Sequence, residues 1–84
     1  MSDQPNREDQ ERRIRDLLVA GKRLAAEDDQ GRDWDLIPVE PVQVRGVVVV
    51  VTDHGGSVTR DTLSVREAAR RALGAAPFER WESP

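Results

Sequence analysis

Residues 42–52 read VQVRGVVVVVT, and this stretch decides the fold because it holds seven of the chain's eleven valines. β-Branched side chains favour extended backbone, and Gly46 is placed where a bulge or bend would interrupt a strand. The five consecutive valines at 47–51 do not alternate with polar residues. A run without alternation is typical of a strand buried on both faces, so we predict such a strand over residues 42–52.

The residues on either side of this run predict a small antiparallel sheet. Residues 53–56, DHGG, have the composition of a turn, and residues 57–62 follow as a second strand that completes a hairpin. Residues 34–41 are extended and contain Pro38 and Pro41. Because proline cannot donate a hydrogen bond to a neighbouring strand, any strand here is predicted to be short and to lie at an edge.

A short helix is predicted near the C-terminus. Ser64 and Glu67 have the spacing of a capping box, in which the Ser64 hydroxyl accepts a hydrogen bond from the Glu67 amide. The helix then spans residues 65–73, and Gly74 is placed to end it. Its inward face is predicted to consist of small and aliphatic side chains, namely Val65, Ala68, Ala69, Ala72 and Leu73.

A longer amphipathic helix is predicted over residues 6–28. Gly21 falls inside it, where glycine costs about 1 kcal/mol relative to alanine and would mark the close approach of another backbone. Asn6 is a candidate N-cap, and Gly31 can end the helix with a positive φ. The apolar positions follow the spacing of one helical face: Ile14, Leu17, Leu18, Leu24 and Ala25.

Together these elements predict an α+β fold. It consists of an N-terminal amphipathic helix, a small antiparallel β-sheet in the form of a hairpin, and a short C-terminal helix. We expect residues 1–84 to make a single small domain. Residues 1–5 and 79–84 are expected to be flexible.

Composition excludes several classes of function. The 84 residues include 13 basic and 16 acidic side chains, so the net charge is −3 and the overall field opposes nucleic-acid binding. No apolar run approaches the length of a membrane helix, and the N-terminal residues lack the pattern of a secretory signal. We therefore expect a cytoplasmic protein that does not bind a membrane. The absence of cysteine removes disulfides, thiolate metal sites and cysteine nucleophiles.

Asp53, His54 and Ser57 bring an acid, an imidazole and a hydroxyl close together in sequence. A catalytic triad requires the acid and the hydroxyl to meet opposite nitrogens of the imidazole, which neighbours on one turn rarely achieve. One histidine with scattered carboxylates also lacks the ligand spacing of a zinc site or a calcium loop. We therefore predict no enzyme activity, no catalytic residue, no metal site and no cofactor.

The valine run also predicts assembly. A strand buried on both faces needs cover on both sides, and the second helix presents mainly alanine, which leaves much of one face open. A second copy of the chain supplies the missing cover through two-fold symmetry, so we predict a homodimer. Val48 and Val50 are the alternate valines predicted to face the other subunit or its helix.

The three aromatic side chains, Trp34, Phe78 and Trp81, have two interpretations. Aromatic residues in irregular segments often anchor an interface, because each buries about 150–250 Å² with few rotatable bonds to order. Alternatively they complete a thin core, since a chain of this size needs its large side chains inside. Both interpretations are compatible with the sequence.

Residues 63–70, LSVREAAR, resemble the first helix of the helix-turn-helix in MerR-type regulators and excisionase-like DNA-binding domains. Gly74, Pro77 and Trp81 are similar to the turn and the aromatic ending of that motif. The resemblance covers residues 63–82 and implies a helix-turn-helix that binds DNA. The basic side chains that it assigns to the nucleic acid are Arg66, Arg70 and Arg71.

The function predicted from the sequence is that of a non-enzymatic protein-binding or regulatory module, homodimeric, whose partner is another protein. The main alternative is the DNA-binding transcription regulator that the resemblance implies. A third hypothesis is the antitoxin of a toxin–antitoxin pair, which suits the small size and the net negative charge.

Overall fold

The strands form one antiparallel sheet whose order follows the chain. The computed structural model describes residues 6–84. In chain order its elements are α1 (Arg7–Val19), β1 (Leu24–Glu27), β2 (Asp33–Pro38), α2 (Val42–Arg45), β3 (Val47–His54), β4 (Ser57–Ser64), α3 (Val65–Ala75) and a 3-10 helix (Phe78–Arg80). The strands pair in the order β1-β2-β3-β4, each antiparallel to the next. The predicted α+β class with an antiparallel sheet is confirmed, and the sheet is larger than a hairpin.

Side chains of strand β3 alternate between a covered and an uncovered face. Val48 and Val50 are 0% and 3% exposed, whereas Val47, Val49 and Val51 are half-buried. Helices α1 and α3 both pack on the face that holds Val48 and Val50. Within the single chain the strand is therefore covered on one face only, because the chain stacks its two long helices on one side of the sheet. Burial of the second face, for which a second copy of the chain was invoked, stays a prediction.

The core lies between this covered face and the helix layer. Helix α1 contributes Ile14 and Leu18, and the sheet contributes Leu36 beside the two buried valines. The inward face predicted for α3 is confirmed: Ala68, Ala69, Ala72 and Leu73 are buried and Val65 is half-buried. Small alanine side chains allow α3 to approach α1 and the sheet closely, so a thin core is still closely packed.

Helix α1 ends at Val19 and does not extend to residue 28 as predicted. The Gly21 amide donates to the Leu18 carbonyl and the Lys22 amide donates to the Leu17 carbonyl, both at 3.0 Å. Gly21 has a φ of 82°. This is the Schellman arrangement, in which a left-handed glycine ends a helix. The glycine predicted to lie inside the helix is therefore its stop.

Strand β1 occupies part of the segment predicted to be helical. Leu24 is buried as predicted, but it lies on a strand and pairs with Leu36 of β2. Leu17, predicted to face inward, is 37% exposed. Ala25 is a poor strand former by propensity, so pairing with β2 overrides local preference here.

Strand β2 pairs with β1 on one side and with β3 on the other, so it does not lie at an edge as predicted. Pro38 is its last residue. A proline in that position interrupts little of the hydrogen-bond ladder, which is how an interior strand accommodates it.

The first residues of the predicted 42–52 strand form the single turn α2 instead. The amides of Val44 and Arg45 donate to the Pro41 carbonyl at 3.0 Å. Gly46 then adopts a left-handed conformation with a φ of 67°, its amide donates to the Val42 carbonyl at 2.8 Å, and β3 begins at the next residue. The bend predicted at Gly46 is present, and it separates a helical turn from the strand.

The predicted hairpin is confirmed as the β3–β4 pair. Gly55 and Gly56 connect the strands with φ values of 60° and 89°. Positive φ at both positions is typical of a type I′ turn, whose twist matches that of the flanking strands. Strand β4 runs from Ser57 to Ser64, two residues beyond the predicted end at residue 62.

Both predicted helix N-caps are present. The Asn6 side-chain oxygen accepts from the Asp9 amide at 2.8 Å, and the Ser64 hydroxyl accepts from the Glu67 amide at 3.1 Å. Gly74 does not end α3 as predicted, since the helix continues to Ala75 and this glycine has no positive φ.

The residues after α3 fold back onto the core and the sheet. Trp81 is 8% exposed, and its indole nitrogen donates to the carbonyls of Ala72 and Ala76 at 3.1 and 3.2 Å. Glu82 exchanges two backbone hydrogen bonds with Ala25, at 2.9 and 3.0 Å, along the outer edge of β1.

Residues 79–84 were expected to be flexible, and two of them, Trp81 and Glu82, make specific contacts with the rest of the fold. A buried indole with two hydrogen bonds and a paired backbone hold this segment in place. Residues 1–5, for which the same was expected, lie outside the described residues.

The molecule is a slab that measures 42 × 34 × 20 Å along its principal axes. Its short dimension is consistent with one helix layer on one sheet, which leaves a broad side of the sheet open. Between residues 6 and 84 no helix is both long enough and apolar enough to cross a membrane.

Candidate interaction surface

The side of the sheet that carries no helix, which we call the outer face, follows from the strand register. Directly paired residues project to the same face of an antiparallel sheet. Ile37 pairs with Val49 and Val49 with Thr62, and the next row on this face is Asp35, Val51 and Arg60. The outer face therefore holds the positions that alternate with the core positions of each strand.

Four aliphatic side chains form an apolar strip across the middle of the outer face: Ile37, Val47, Val49 and Val51. All four are half-buried in the single chain. A sheet with one solvated face normally places polar residues at the outward positions, and β4 does so with Arg60 and Thr62. Strand β3 departs from that rule at three successive outward positions, which indicates a surface suited to protein contact.

One end of the outer face is acidic. Glu27 pairs directly with Asp33, and Asp33 pairs directly with Asp53, so three carboxylates lie side by side on β1, β2 and β3. All three residues are exposed, and no ion pair within residues 6–84 involves them. Like charges directly opposite one another destabilise a sheet. The fold thus places three carboxylates without an ion-pair partner in one row at this acidic end.

The opposite end of the sheet is basic. Lys22 and Arg23 precede β1, and Arg45 ends α2 just before β3, so all three lie at the end of the strands remote from the acidic end. Arg23 reaches over the outer face, where its Nη2 lies 3.2 Å from Asp35 Oδ1. Glu40 is the neighbouring carboxylate, so the three cations at this basic end stand against two carboxylates, those of Asp35 and Glu40, and one positive charge remains in excess.

The two edges of the sheet differ. The β1 edge is partly closed by the Glu82 bridge, whereas the β4 edge is exposed along most of its length. Asp61 on β4 projects towards the helix side, where its Oδ2 lies 3.7 Å from Arg71 Nη1. An inward-facing charge on an edge strand discourages the addition of another strand. The outer face is therefore a better candidate surface than the β4 edge.

An open cleft of about 650 Å³ lies beside β1, where the C-terminal segment meets the sheet. Arg80, which lines it, donates to Asp29 Oδ1 at 2.8 Å and to the Glu27 carbonyl at 3.2 Å. Since this guanidinium is already paired, the cleft presents mainly carboxylates and suits the basic side chains of a partner. Its lining residues are Ala25, Ala26, Glu27, Asp33, Trp34, Asp35, Glu79, Arg80 and Glu82.

Asp28 organises the loop between β1 and β2. Its Oδ1 accepts from the amides of Gln30 and Arg32 at 2.8 and 2.9 Å, and its Oδ2 accepts from the Trp34 indole nitrogen at 3.0 Å. The Trp34 hydrogen bond, with the two amides and the nearby Arg32 charge, holds the pKa of Asp28 below its usual value, against the opposing effect of desolvation. With both oxygens engaged, Asp28 has a structural role.

The structure corrects the assignment of Val48 and Val50 as interface residues. Both lie in the core of their own chain, beneath α1 and α3, and have no surface left for a partner. The neighbouring valines of the apolar strip occupy the outer face instead. Sequence alone identified the strand but not which alternate set of its valines faces outward, because five valines in a row carry no alternation to read.

The structure brings the three aromatic residues to one side of the core. Trp81 is buried, and Trp34 and Phe78 are half-buried and pack against the same cluster. The indole of Trp34 is tied to Asp28, and that of Trp81 to backbone carbonyls of α3. These contacts correspond to the interpretation in which the aromatics complete a thin core.

The three arginines linked to the DNA-binding alternative lie on exposed positions of α3. Arg70 Nη1 is 3.6 Å from Glu67, and Arg71 is paired with Asp61. Arg66 lines a groove of about 260 Å³ against α1, together with Glu8, Glu11, Arg15 and Arg70. After Ala75, the helical structure in the described part of the chain is the 3-10 helix Phe78–Arg80, at the place of a recognition helix.

Asp53, His54 and Ser57 lie at the exposed tip of the β3–β4 hairpin, where His54 pairs with Ser57 across the turn. Across residues 6–84 no three acidic or histidine side chains are arranged to hold a metal ion. Comparison with protein-family models, with curated proteins and with solved structures gives no match.

Proposed function

We propose that the protein is a non-enzymatic protein-binding module that forms a homodimer through its outer face. The observation that carries the proposal is the apolar strip, which places Val47, Val49 and Val51 at outward positions of the central strand β3. A second copy with the same strip would pack its outer face on the outer face of the first. The dimer would then be a sandwich of two sheets, with the core and helix layer of each chain on the far side of its own sheet.

The dimensions of the molecule suit this assembly. A stable interface buries about 800 Å² on each partner. The slab has a broad side of 42 × 34 Å, and helices α1 and α3 both lie on the other side of the sheet. Contact across most of that broad side therefore reaches the required area without any rearrangement of the fold.

The experiment that tests the proposal replaces Val49 and Val51 together with glutamine. Both are half-buried outward residues, so the monomer should stay folded, since strand propensities differ by only about 1 kcal/mol. We expect sedimentation equilibrium to show a dimer for the natural sequence and a monomer, or a dimer on the order of tenfold weaker, for the double variant.

Val19→Gln is the matched control, because Val19 is 40% exposed at the end of α1 in the helix layer. The control should dimerise as the natural sequence does, and circular dichroism should show all three proteins folded. A natural chain that stays monomeric at high micromolar concentration would contradict the homodimer. A double variant that dimerises unchanged would move the interface away from the outer face.

A further inference from the structure

We infer that the two copies stack outer face against outer face with their strands antiparallel, so that the acidic end of each lies against the basic end of the other. The inference rests on the proposed homodimer and adds its orientation. It commits to a second copy of this chain as the partner, on the basis of charge complementarity between the two ends of one surface.

The two-fold symmetry of the dimer limits how the two copies can be oriented relative to each other. A two-fold axis that relates two stacked faces lies parallel to the sheets. If the axis runs along the strands, like ends meet, and the row of Glu27, Asp33 and Asp53 faces the same row of the second copy. If the axis runs across the strands, each row faces Lys22 and Arg45.

Electrostatics separates the two arrangements. In the first, six exposed carboxylates from two copies approach one another as the surface loses water, a juxtaposition that strongly disfavours association. In the second, each acidic end meets the basic end of the other copy, where Lys22, Arg23 and Arg45 outnumber the carboxylates of Asp35 and Glu40 by one. The apolar strip lies between the two ends and contacts itself in both cases, so the charged ends decide the orientation.

The antiparallel arrangement of the two copies also accounts for the acidic row of Glu27, Asp33 and Asp53. Three like charges paired directly across adjacent strands weaken the isolated sheet. In the antiparallel stack the same charges face the cations of the second copy, which partly offset the repulsion that the row causes in the monomer.

Two complementary charge-reversal variants test the orientation. The first is Asp33→Lys with Asp53→Lys, which makes both ends basic, and the second is Lys22→Glu with Arg45→Glu, which makes both ends acidic. Each alone should weaken the homodimer on the order of tenfold or more, measured by sedimentation equilibrium at low salt. Mixed in equal amounts, the two should form a heterodimer, detected by native mass spectrometry, and added salt should weaken it.

Glu8→Lys with Asp16→Lys on α1 is the control, since it changes the net charge as much as the first variant does but on the helix layer. It should dimerise as the natural chain does, and circular dichroism should show every variant folded. Two variants that each dimerise normally, or a mixture that gives no heterodimer, would overturn the orientation while the homodimer stands. A monomeric natural chain would instead contradict the proposed function itself.

Discussion

Asp28, in the loop between β1 and β2, engages both oxygens of its carboxylate in hydrogen bonds. It accepts three hydrogen bonds, two from the backbone of its own turn and one from Trp34 at the start of β2. These bonds favour the ionised carboxylate, so its pKa is held below the usual value. A lowered pKa in the folded state means that the folded protein is stabilised relative to the unfolded chain when the carboxyl is ionised.

We predict that Asp28→Asn lowers the melting temperature at neutral pH, because the amide that replaces one carboxylate oxygen cannot accept from the indole and both amides as before. The sign of the pH dependence follows from the shift. The contribution of Asp28 is fully present above the pKa of the unfolded carboxyl and is lost as the pH falls through its lower folded value.

Thermal unfolding by circular dichroism, at neutral pH and across the acid range, checks this prediction. The difference in melting temperature between the natural protein and Asp28→Asn should become smaller as the pH falls. Asp16→Asn, an exposed carboxylate on α1, serves as the control and should show a smaller effect. The same difference in melting temperature at every pH would show that ionised Asp28 does not stabilise the fold.

Individual residues also show which features of the fold can be predicted from the sequence and which cannot. The caps at Asn6 and Ser64 were predictable, because a cap depends only on a side chain and the amide three residues along. The inward set of valines was not, because register on β3 depends on where Gly46 ends the preceding turn. A shift by one residue would have exchanged the core valines with those of the apolar strip.

At the scale of elements, two glycines with opposite roles allow a paired prediction. Gly21 ends α1 with a φ of 82°, and a Cβ there would lie 3.0 Å from the Glu40 carboxylate. Gly74 lies inside α3 without a positive φ, and a Cβ there would meet nothing within 4 Å.

We expect Gly21→Ala to destabilise the protein by about 1 kcal/mol or more, since the left-handed conformation is strained for alanine. Gly74→Ala should stabilise it by about 0.5–1 kcal/mol through helix propensity and the lower entropy of the unfolded chain. Urea denaturation with unchanged m-values measures both. A change of the same sign in the free energy of unfolding of the two variants would contradict the roles assigned to these glycines.

The elements that sequence reasoning missed share one cause. Strand β1 has residues that suit a helix, and it becomes a strand because Leu24 pairs with Leu36, which is distant in sequence. The turn α2 was missed for the opposite reason, since its valines suit a strand while Pro41 and Gly46 close a helical turn around them. The propensity of the residues inside each element predicts neither: pairing with β2 decides β1, and the flanking Pro41 and Gly46 decide α2.

At the scale of the whole molecule, Trp81 joins the C-terminal segment to the core. Its indole is buried and donates to two carbonyls near the end of α3. Trp81→Ala should cost about 3–5 kcal/mol, a large share of the roughly 5–15 kcal/mol that holds a domain together.

Trp81→Phe keeps most of the apolar contact and loses the donor, so we expect a smaller loss of about 1–2 kcal/mol. Guanidinium denaturation measures the free energy of unfolding of both variants. The decisive result is that Trp81→Ala loses more stability than Trp81→Phe. If both variants unfold at the natural midpoint, Trp81 is peripheral and the C-terminal segment is not part of the fold.

The arrangement of layers was the least predictable feature. The sequence indicates two helices and a valine-rich strand, but nothing in it specifies that α1 and α3 share one face of the sheet. That outcome depends on the alanines of α3, which let the two helices lie side by side above the strands. The outer face, and with it the candidate surface, exists because of this packing.

The order of the strands has a consequence for the rate at which the protein folds. Every strand pairs with its neighbour along the chain, and β3 and β4 are joined by only Gly55 and Gly56. Closing a short loop costs little entropy, so this hairpin can assemble before any distant contact forms. We expect the docking of α1 on α3, which closes a loop of most of the chain, to be the slower event that completes the native state.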